Sequence, residues 1–123
     1  MKDFRRLTTW QKSYRVALEV YRATAAFPVS ARFGLTSQMR RAAVSAPSNI
    51  AEGCGRSGDG EMARYLSLAM GSASELECQL LLAHDLGMLA DGGFESLQAA
   101  ITELRRMLNG LTAKVAADRR VRS

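Results

Sequence analysis

Apolar residues in the second half of the chain recur at alternating spacings of four and three, and this pattern restricts the fold more than any other feature of the sequence. The first series comprises Met62, Leu66, Ala69, Ala73, Leu76, Leu80 and Ala83, and the second comprises Phe94, Leu97, Ile101, Leu104, Leu108, Leu111 and Val115. Residues at this spacing share one face of an α-helix, whereas a half-buried strand alternates every two residues. The spacing predicts amphipathic helices over residues 59–86 and 92–117.

The first half of the chain contains two further helical patterns. A helix is predicted over residues 8–26, and the face expected to enter the core carries Trp10, Tyr14, Ala17 and Tyr21. A second helix is predicted over residues 35–53, with a kink at Pro47 and with Gly53 as its C-terminal cap. Short connections between long helices favour antiparallel neighbours. The sequence therefore predicts an all-α, up-down-up-down four-helix bundle, with one domain over residues 1–118 and a basic tail over residues 119–123.

Composition excludes several classes of protein. Among 123 residues, two cysteines and one histidine are too few for a disulfide framework or a metal site, so neither a metal nor another cofactor is expected. The sequence has no run of 18 apolar residues, and its first ten residues lack the apolar segment of a signal peptide. We expect a cytoplasmic protein without a membrane partner.

Charge is distributed unevenly along the chain. Residues 1–41 hold nine basic and two acidic side chains, residues 42–104 hold two basic and nine acidic ones, and residues 105–123 hold six basic and one acidic. The corresponding net charges are +7, −7 and +5. Such segregation has two interpretations: a basic surface that contacts a polyanion, or oppositely charged surfaces that meet inside an assembly.

Basic residues of the first helix and of the C-terminus are the candidates for contact with RNA or DNA phosphates. The set comprises Arg5, Arg6, Lys12, Arg15, Arg22, Arg119, Arg120 and Arg122. A solvated charged helix face is the alternative interpretation. Because Tyr14 and Tyr21 are predicted to lie on the core face, no aromatic platform for stacking bases is expected.

Some apolar residues fall outside the predicted core faces. They are Val16, Val20, Leu68, Met70, Leu81 and Leu82. Isolated exposed apolar residues are common, but a set of this size favours contact with a neighbouring subunit. We predict a homo-oligomer with these residues at its interface.

The sequence has no convincing catalytic pattern. The stretch from Gly53 to Gly58 spells G-x-G-x-x-G, but a dinucleotide site needs a strand before it, and here the preceding residues are helical. A single phosphate near Arg56 is a weaker alternative. Neither cysteine has a base nearby in sequence, so we predict that the protein is not an enzyme. A site formed between subunits by Cys54, His84 and Glu75 would be the exception.

The segment from Phe33 to Gly53, FGLTSQMRRAAVSAPSNIAEG, resembles the signature of a bacterial four-helix-bundle family named after proteins encoded in 23S ribosomal-RNA intervening sequences. The resemblance implies a ring-like homopentamer and a largely unassigned function. Together with the match of Gly55-Arg56 in the loop that follows, it marks as the motif's polar positions Arg40, Arg41, Asn49, Glu52 and Arg56. Related accessory proteins of diversity-generating retroelements are similar in fold, and there a basic pentamer binds nucleic acid and a reverse transcriptase.

Two hypotheses follow for function. One is a homo-oligomeric binding module that holds RNA or DNA phosphates with little sequence preference. The other is a scaffold that engages a second protein, such as one acting on nucleic acid, through its apolar and charged faces. The polar positions of the motif could serve folding or ligand contact under either hypothesis.

Overall fold

The computed structural model describes residues 3–122 and places most of them in four helices. These are α1 (Thr8–Thr24), α2 (Leu35–Gly55), α3 (Asp59–Asp85) and α4 (Asp91–Arg122). Single turns of 3₁₀ helix at Phe4–Arg6 and Val29–Ala31 precede α1 and α2, respectively, and residues 3–122 contain no strand. The all-α prediction is confirmed.

The predicted helix ends differ from the structure by one or two residues in α1 and α3, and two further differences concern α2 and α4. Gly53 is not the cap of α2, because the helix continues to Gly55. The predicted basic tail is wrong over residues 119–122, which are the last turn of α4, and Ser123 lies outside the described residues. The last turn of α4 is held in place because Arg122 donates a hydrogen bond to the Asp59 carboxylate at the start of α3.

Each helix packs against two others, which produces a four-helix arrangement around one core. α2 packs against α1 and α3, and α4 packs against α3 and α1. The two heptad series supply the most deeply buried side chains of α3 and α4, including Leu66, Leu80, Ile101 and Leu108. Burying a leucine or isoleucine side chain contributes about 1.5–3 kcal/mol, so these two seams hold the helices together.

Helix α3 ends in a tight turn at the start of its connection to α4. Gly87 has a φ of +77°, a left-handed conformation that glycine adopts at little cost. The amide of Met88 then donates to the Ala83 carbonyl at 2.9 Å, and the amide of Gly87 donates to the His84 carbonyl at 3.0 Å. These bonds satisfy carbonyls that the end of α3 would otherwise leave unpaired.

The face that α1 turns to the core differs from the prediction. Val16 and Val20 are buried in the core, with Val20 fully inaccessible, so they are not interface residues. Tyr14 and Tyr21, predicted in the core, are 47% and 44% exposed. Small residues face the core instead, and the hydroxyl of the buried Ser13 donates to the Trp10 carbonyl at 2.7 Å. That bond removes the cost of burying a polar side chain.

Helix α2 lies close to α3 near the C-terminal end of α2. A Cβ atom at Gly53 would lie 2.9 Å from the Met62 sulfur and 3.0 Å from the Tyr65 Cβ. Further along the contact, Asn49 donates to the Ser45 carbonyl at 2.9 Å, and the hydroxyls of Ser45 and Ser72 are 2.8 Å apart. The α2–α3 contact therefore depends on small and hydrogen-bonded residues, and the turn of α2 beside Pro47 is part of it.

No helix within residues 3–122 combines the length and the hydropathy needed to cross a lipid bilayer.

Replacing Gly53 with alanine should separate α2 from α3. The added methyl group meets the Tyr65 Cβ, which cannot move without its backbone, so we expect Gly53→Ala to lower the free energy of unfolding by about 1–3 kcal/mol. At Gly55 an added Cβ meets nothing within 4 Å, so Gly55→Ala is the matched control and should change stability by about 1 kcal/mol or less. Urea unfolding of both variants checks this, and equal stability of the two would contradict the close approach.

Candidate nucleic-acid interface

Exposed aromatic rings and arginines share one surface, formed by α1, the turn before α2 and the first half of α2. We call it the α1–α2 surface, and its members are Tyr14, Tyr21, Arg32, Phe33, Arg40 and Arg41. The Arg40 guanidinium lies 4.7 Å from the centroid of the Tyr21 ring. Its Nε donates to the Thr24 hydroxyl at 2.8 Å, and that hydroxyl donates to the Val20 carbonyl at 2.7 Å. Arg40 is therefore held in a fixed position by neutral partners and keeps its full charge.

The other arginines of this surface also lack acidic partners. Arg41 is exposed, and no ion pair forms to it from the described part of the chain. The Arg32 guanidinium lies 5.4 Å from the centroid of the Phe33 ring. Cation–π contacts of this kind orient a guanidinium without neutralising it.

Basic residues predicted on and just before the first helix differ in whether an acidic side chain compensates their charge. Arg15 and Arg22 are exposed and Lys12 is half-buried, and none of the three forms an ion pair with another residue between positions 3 and 122. Arg6, just before α1, is likewise exposed. Arg5 differs because its Nε lies 2.9 Å from the Asp3 carboxylate, which raises the pKa of Arg5 by hydrogen bonding. Its charge is largely compensated.

The C-terminal arginines are not a free basic tail. Arg122 pairs with Asp59, and the Arg119 guanidinium lies over Gly60. Arg120 is exposed. Because the last turn of α4 packs at the start of α3, Arg119 and Arg122 are weaker candidates for phosphate contact than the arginines of α1.

The motif's polar positions divide into two groups. Arg40 and Arg41 lie on the α1–α2 surface, whereas Asn49 belongs to the hydrogen-bonded contact between α2 and α3. Glu52 pairs with Arg56 at 3.0 Å one helical turn away, and Arg56 lies 5.5 Å from the centroid of the Tyr65 ring. The second group is occupied with contacts inside the fold.

The glycine-rich connection lines a cleft of about 500 Å³ between α4 and the start of α3. Arg56, Lys114 and Arg122 contribute positive charge to it, but Asp59 and Asp118 also line it. The Asp59 carboxylate already lies in the first turn of α3, where a bound phosphate would otherwise benefit from the helix dipole. This arrangement does not favour the single phosphate considered at Arg56.

Several leucines of α3 are exposed. Leu68, Leu81 and Leu82 are exposed, as is Leu86 at the end of the helix. Met70, also predicted at an interface, is partly buried and packs against the core. The predicted interface therefore reduces to the leucines of α3.

Groups that could carry catalysis are dispersed or occupied. Cys54 is buried, and burial raises the pKa of its thiol, which makes it a poor nucleophile. The Nε2 atom of His84 lies 2.7 Å from an Asp91 carboxylate oxygen, and its ring stacks on Phe94 with the centroids 4.2 Å apart. The described residues include no group of three His, Cys, Asp or Glu side chains that could hold a metal ion.

Comparison with known proteins decides the family. A family model described as 23S rRNA-intervening sequence protein matches residues 5–110. The chain belongs to this family. The resemblance of the Phe33–Gly53 segment is thereby confirmed. A comparison with curated proteins finds no match.

A solved structure supports the fold of this family member. It is a protein of unknown function from the S23 ribosomal protein family of Bacteroides thetaiotaomicron VPI-5482, with a TM-score of 0.77 and 21% sequence identity. The similarity covers 85% of the present chain and 98% of that one. At this identity the likeness concerns the fold alone.

Four residues of the α1–α2 surface of this intervening-sequence family member were not predicted as site residues: Tyr14, Tyr21, Arg32 and Phe33. The two tyrosines were assigned to the core because they share a helical face with Trp10 and Ala17. Arg32 and Phe33 fall between predicted helices, where periodicity gives no information about exposure. An aromatic residue next to an arginine was the only available signal for them.

The His84 contact predicts a pH dependence of stability. Hydrogen bonding to Asp91 raises the pKa of His84 above its ordinary 6.5, so the contact stabilises the fold fully below that pH. The stabilisation is lost as the pH rises through the raised pKa. We expect the free energy of unfolding to fall as the pH rises from the ordinary pKa of 6.5 through the raised pKa of His84.

His84→Gln should remove most of this dependence, because the chain has a single histidine. Urea unfolding of both proteins at each pH measures the difference. An equally steep pH dependence in the variant would show that another group is responsible.

Proposed function

We propose that this protein is a non-enzymatic nucleic-acid-binding protein that acts as a ring of identical subunits. The observation that carries the proposal is the α1–α2 surface, where the exposed rings of Tyr21 and Phe33 lie beside guanidinium groups without acidic partners among the described residues. Phosphate contacts supply most of the affinity of sequence-independent binding. Aromatic rings add stacking with unpaired bases of any sequence.

The distribution of charge supports this assignment. Acidic residues are concentrated in residues 42–104, whereas residues 1–41 carry a net charge of +7. Arg15, Arg22 and Arg41 are exposed and free of ion pairs with described residues. Positive charge that is not neutralised within the fold is available to a polyanion and raises its rate of encounter.

Assembly is proposed through the leucines of α3. Leu68, Leu81 and Leu82 are exposed on α3, as is Leu86 directly after its last residue, and exposed apolar side chains favour contact with another protein surface. We assign them to the contact between neighbouring subunits, each an antiparallel up-down-up-down bundle. We expect five subunits in the ring, and this number comes from the family resemblance. This arrangement leaves the α1–α2 surface on the outside of the contact.

The names of the family and of the structural neighbour's family are consistent with a nucleic-acid context. One refers to 23S rRNA intervening sequences and the other to a ribosomal protein family. A binding role rather than catalysis is proposed because Cys54 is buried and His84 is paired. Both cysteines are free thiols, which supports a location in the reducing cytoplasm.

A protein-interaction scaffold without nucleic-acid binding is the second candidate. The same leucines of α3 favour it, because a nucleic-acid-processing protein could cover them in place of a second copy of the chain. The mass of the purified protein shows whether a second copy of the chain covers these leucines, as the ring requires, or whether they are left for a different protein.

We expect the purified protein to have a mass near five times 13.4 kDa by light scattering. Leu82→Asp should shift the mass toward that of one chain, because a carboxylate at the contact loses its hydration without gaining a partner. Val121→Asp is the control, since Val121 is exposed on α4 away from these leucines. Circular dichroism verifies that both variants stay helical. A monomeric parent protein would refute the ring and favour the scaffold.

Binding of RNA should depend on the basic face of α1. We expect a labelled single-stranded RNA to bind at low salt and dissociate as salt rises, with log K falling linearly with log salt concentration. Lys12→Glu, Arg15→Glu and Arg22→Glu combined should abolish binding by reversing that charge.

The control is Arg106→Glu, which changes an exposed arginine paired with Glu103 on α4 and should cost far less affinity. Fluorescence anisotropy measures both. No binding by the parent protein at low salt would refute the nucleic-acid assignment.

A further inference from the structure

The N-terminal end of α2 has donor groups that the fold leaves unused. Gly34 precedes the helix and offers no side chain to cap it, and the first turn carries no acidic residue. The first backbone bond of α2 runs from the Gln38 amide to the Gly34 carbonyl at 3.0 Å. The amides of Leu35, Thr36 and Ser37 therefore have no acceptor in the described part of the chain. Unpaired amides and the helix dipole both attract anions.

A second observation at the same end concerns the side chain of Thr36. The residue is only 7% exposed, and its hydroxyl is buried without a hydrogen-bond partner. Thr36 lines two clefts, of about 410 and 220 Å³, which share Arg32 and Arg40. Buried hydroxyl groups in proteins are normally paired. An unpaired one beside three free amides favours a ligand with several acceptor oxygens.

The charge around these clefts has one sign. Arg32, Arg40 and Arg41 line the larger cleft, and no acidic side chain is among the described residues that line either one. Arg40 is already fixed by its bond to Thr24. The start of α3 contrasts with this end, because Asp59 lies in its first turn and pairs with Arg122. At the start of α2, no acidic side chain of the described residues occupies the place that an anion would take.

Aromatic rings flank the same cleft. Phe33 is 89% exposed, and Tyr21 lines the cleft with it. A phosphate held at the helix end would place the neighbouring nucleoside within reach of these rings, where a base can stack. Free phosphate alone would gain nothing from them.

We propose that the N-terminal end of α2 is a phosphate-binding site that seats a backbone phosphate of a single-stranded nucleic acid, with Phe33 stacking on an adjacent base. The free amides, the hydroxyls of Thr36 and Ser37 and the guanidinium of Arg40 or Arg41 donate to the phosphate oxygens. This inference rests on the proposed function and assigns one position within the α1–α2 surface.

Ser37→Asp tests the phosphate site. An acidic side chain in the first turn favours the helix, so the variant should fold at least as stably as the parent protein while repelling a phosphate. Ser96→Asp adds the same charge at an exposed position of α4 and is the matched control. Inorganic phosphate should raise the thermal unfolding temperature of the parent protein and of Ser96→Asp above that in chloride of equal ionic strength. It should not do so for Ser37→Asp.

Binding of a nucleic-acid strand is tested with a labelled oligouridylate of about 12 nucleotides, a length within the site sizes of proteins that bind single strands. Ser37→Asp should weaken its binding about tenfold or more relative to Ser96→Asp, as expected for losing a charge-assisted hydrogen bond. Phe33→Ala should weaken it about fivefold or more by loss of stacking. Val121→Ala, which truncates a similarly exposed apolar side chain on α4 outside both clefts, is the control for Phe33→Ala.

The outcomes separate the site from the wider function. Oligonucleotide affinity that is equal in Ser37→Asp and Ser96→Asp would overturn the strand assignment, even if phosphate still stabilises the protein. The absence of any phosphate effect in the parent protein, together with equal affinities, would overturn the site itself. If the parent protein binds no oligonucleotide, the proposed function is wrong. If phosphate then still stabilises the parent protein but not Ser37→Asp, the start of α2 is an anion site that does not bind a nucleic-acid strand.

Discussion

The packing of α3 between α2 and α4 is the contact on which the rest of the structure depends. The heptad series of α3 and α4 bury side chains such as Leu80 and Ile101 completely, and the small residue Gly53 lets α2 come close to α3. Helix α1 then packs against α2 and α4. Because these contacts fix the direction in which each helix faces, they also decide which side chains remain for function.

Small residues in the core of α1 have a direct consequence for the surface. Val16, Val20 and the hydroxyl-bearing residues Ser13 and Thr24 are buried on the core side of α1. The hydroxyls of Ser13 and Thr24 donate to carbonyls of the same helix. The large rings of Tyr14 and Tyr21 are thereby directed outward. Tyrosine tolerates this position because its ring has an apolar body and a polar end. The aromatic part of the candidate interface thus results from how the core is filled.

Local ion pairs separate the arginines that hold the fold from those available to a ligand. Arg56 and Arg122 are paired with acidic residues near the ends of α2 and α3, whereas Arg15, Arg22 and Arg41 have no acidic partner among the described residues. The acidic residues lie mainly on α3 and α4, so the basic charge of α1 and of the start of α2 is not neutralised within the fold. A helix end without an acidic residue or a cap completes this positive surface.

The sequence by itself determined the helical class, the approximate extent of the four helices and the core faces of α3 and α4, because heptad spacing reports burial directly when large apolar residues carry it. It also identified the family segment and most of the basic residues that are candidates for phosphate contact. Only the tertiary structure decided which side of α1 faces the core. The side chains that α1 buries are small and partly polar, whereas aromatic side chains lie on its surface, which is the reverse of what hydrophobicity alone favours. The exposure of Phe33 and the unpaired hydroxyl of Thr36 likewise depend on how the turn before α2 packs, which local spacing does not encode.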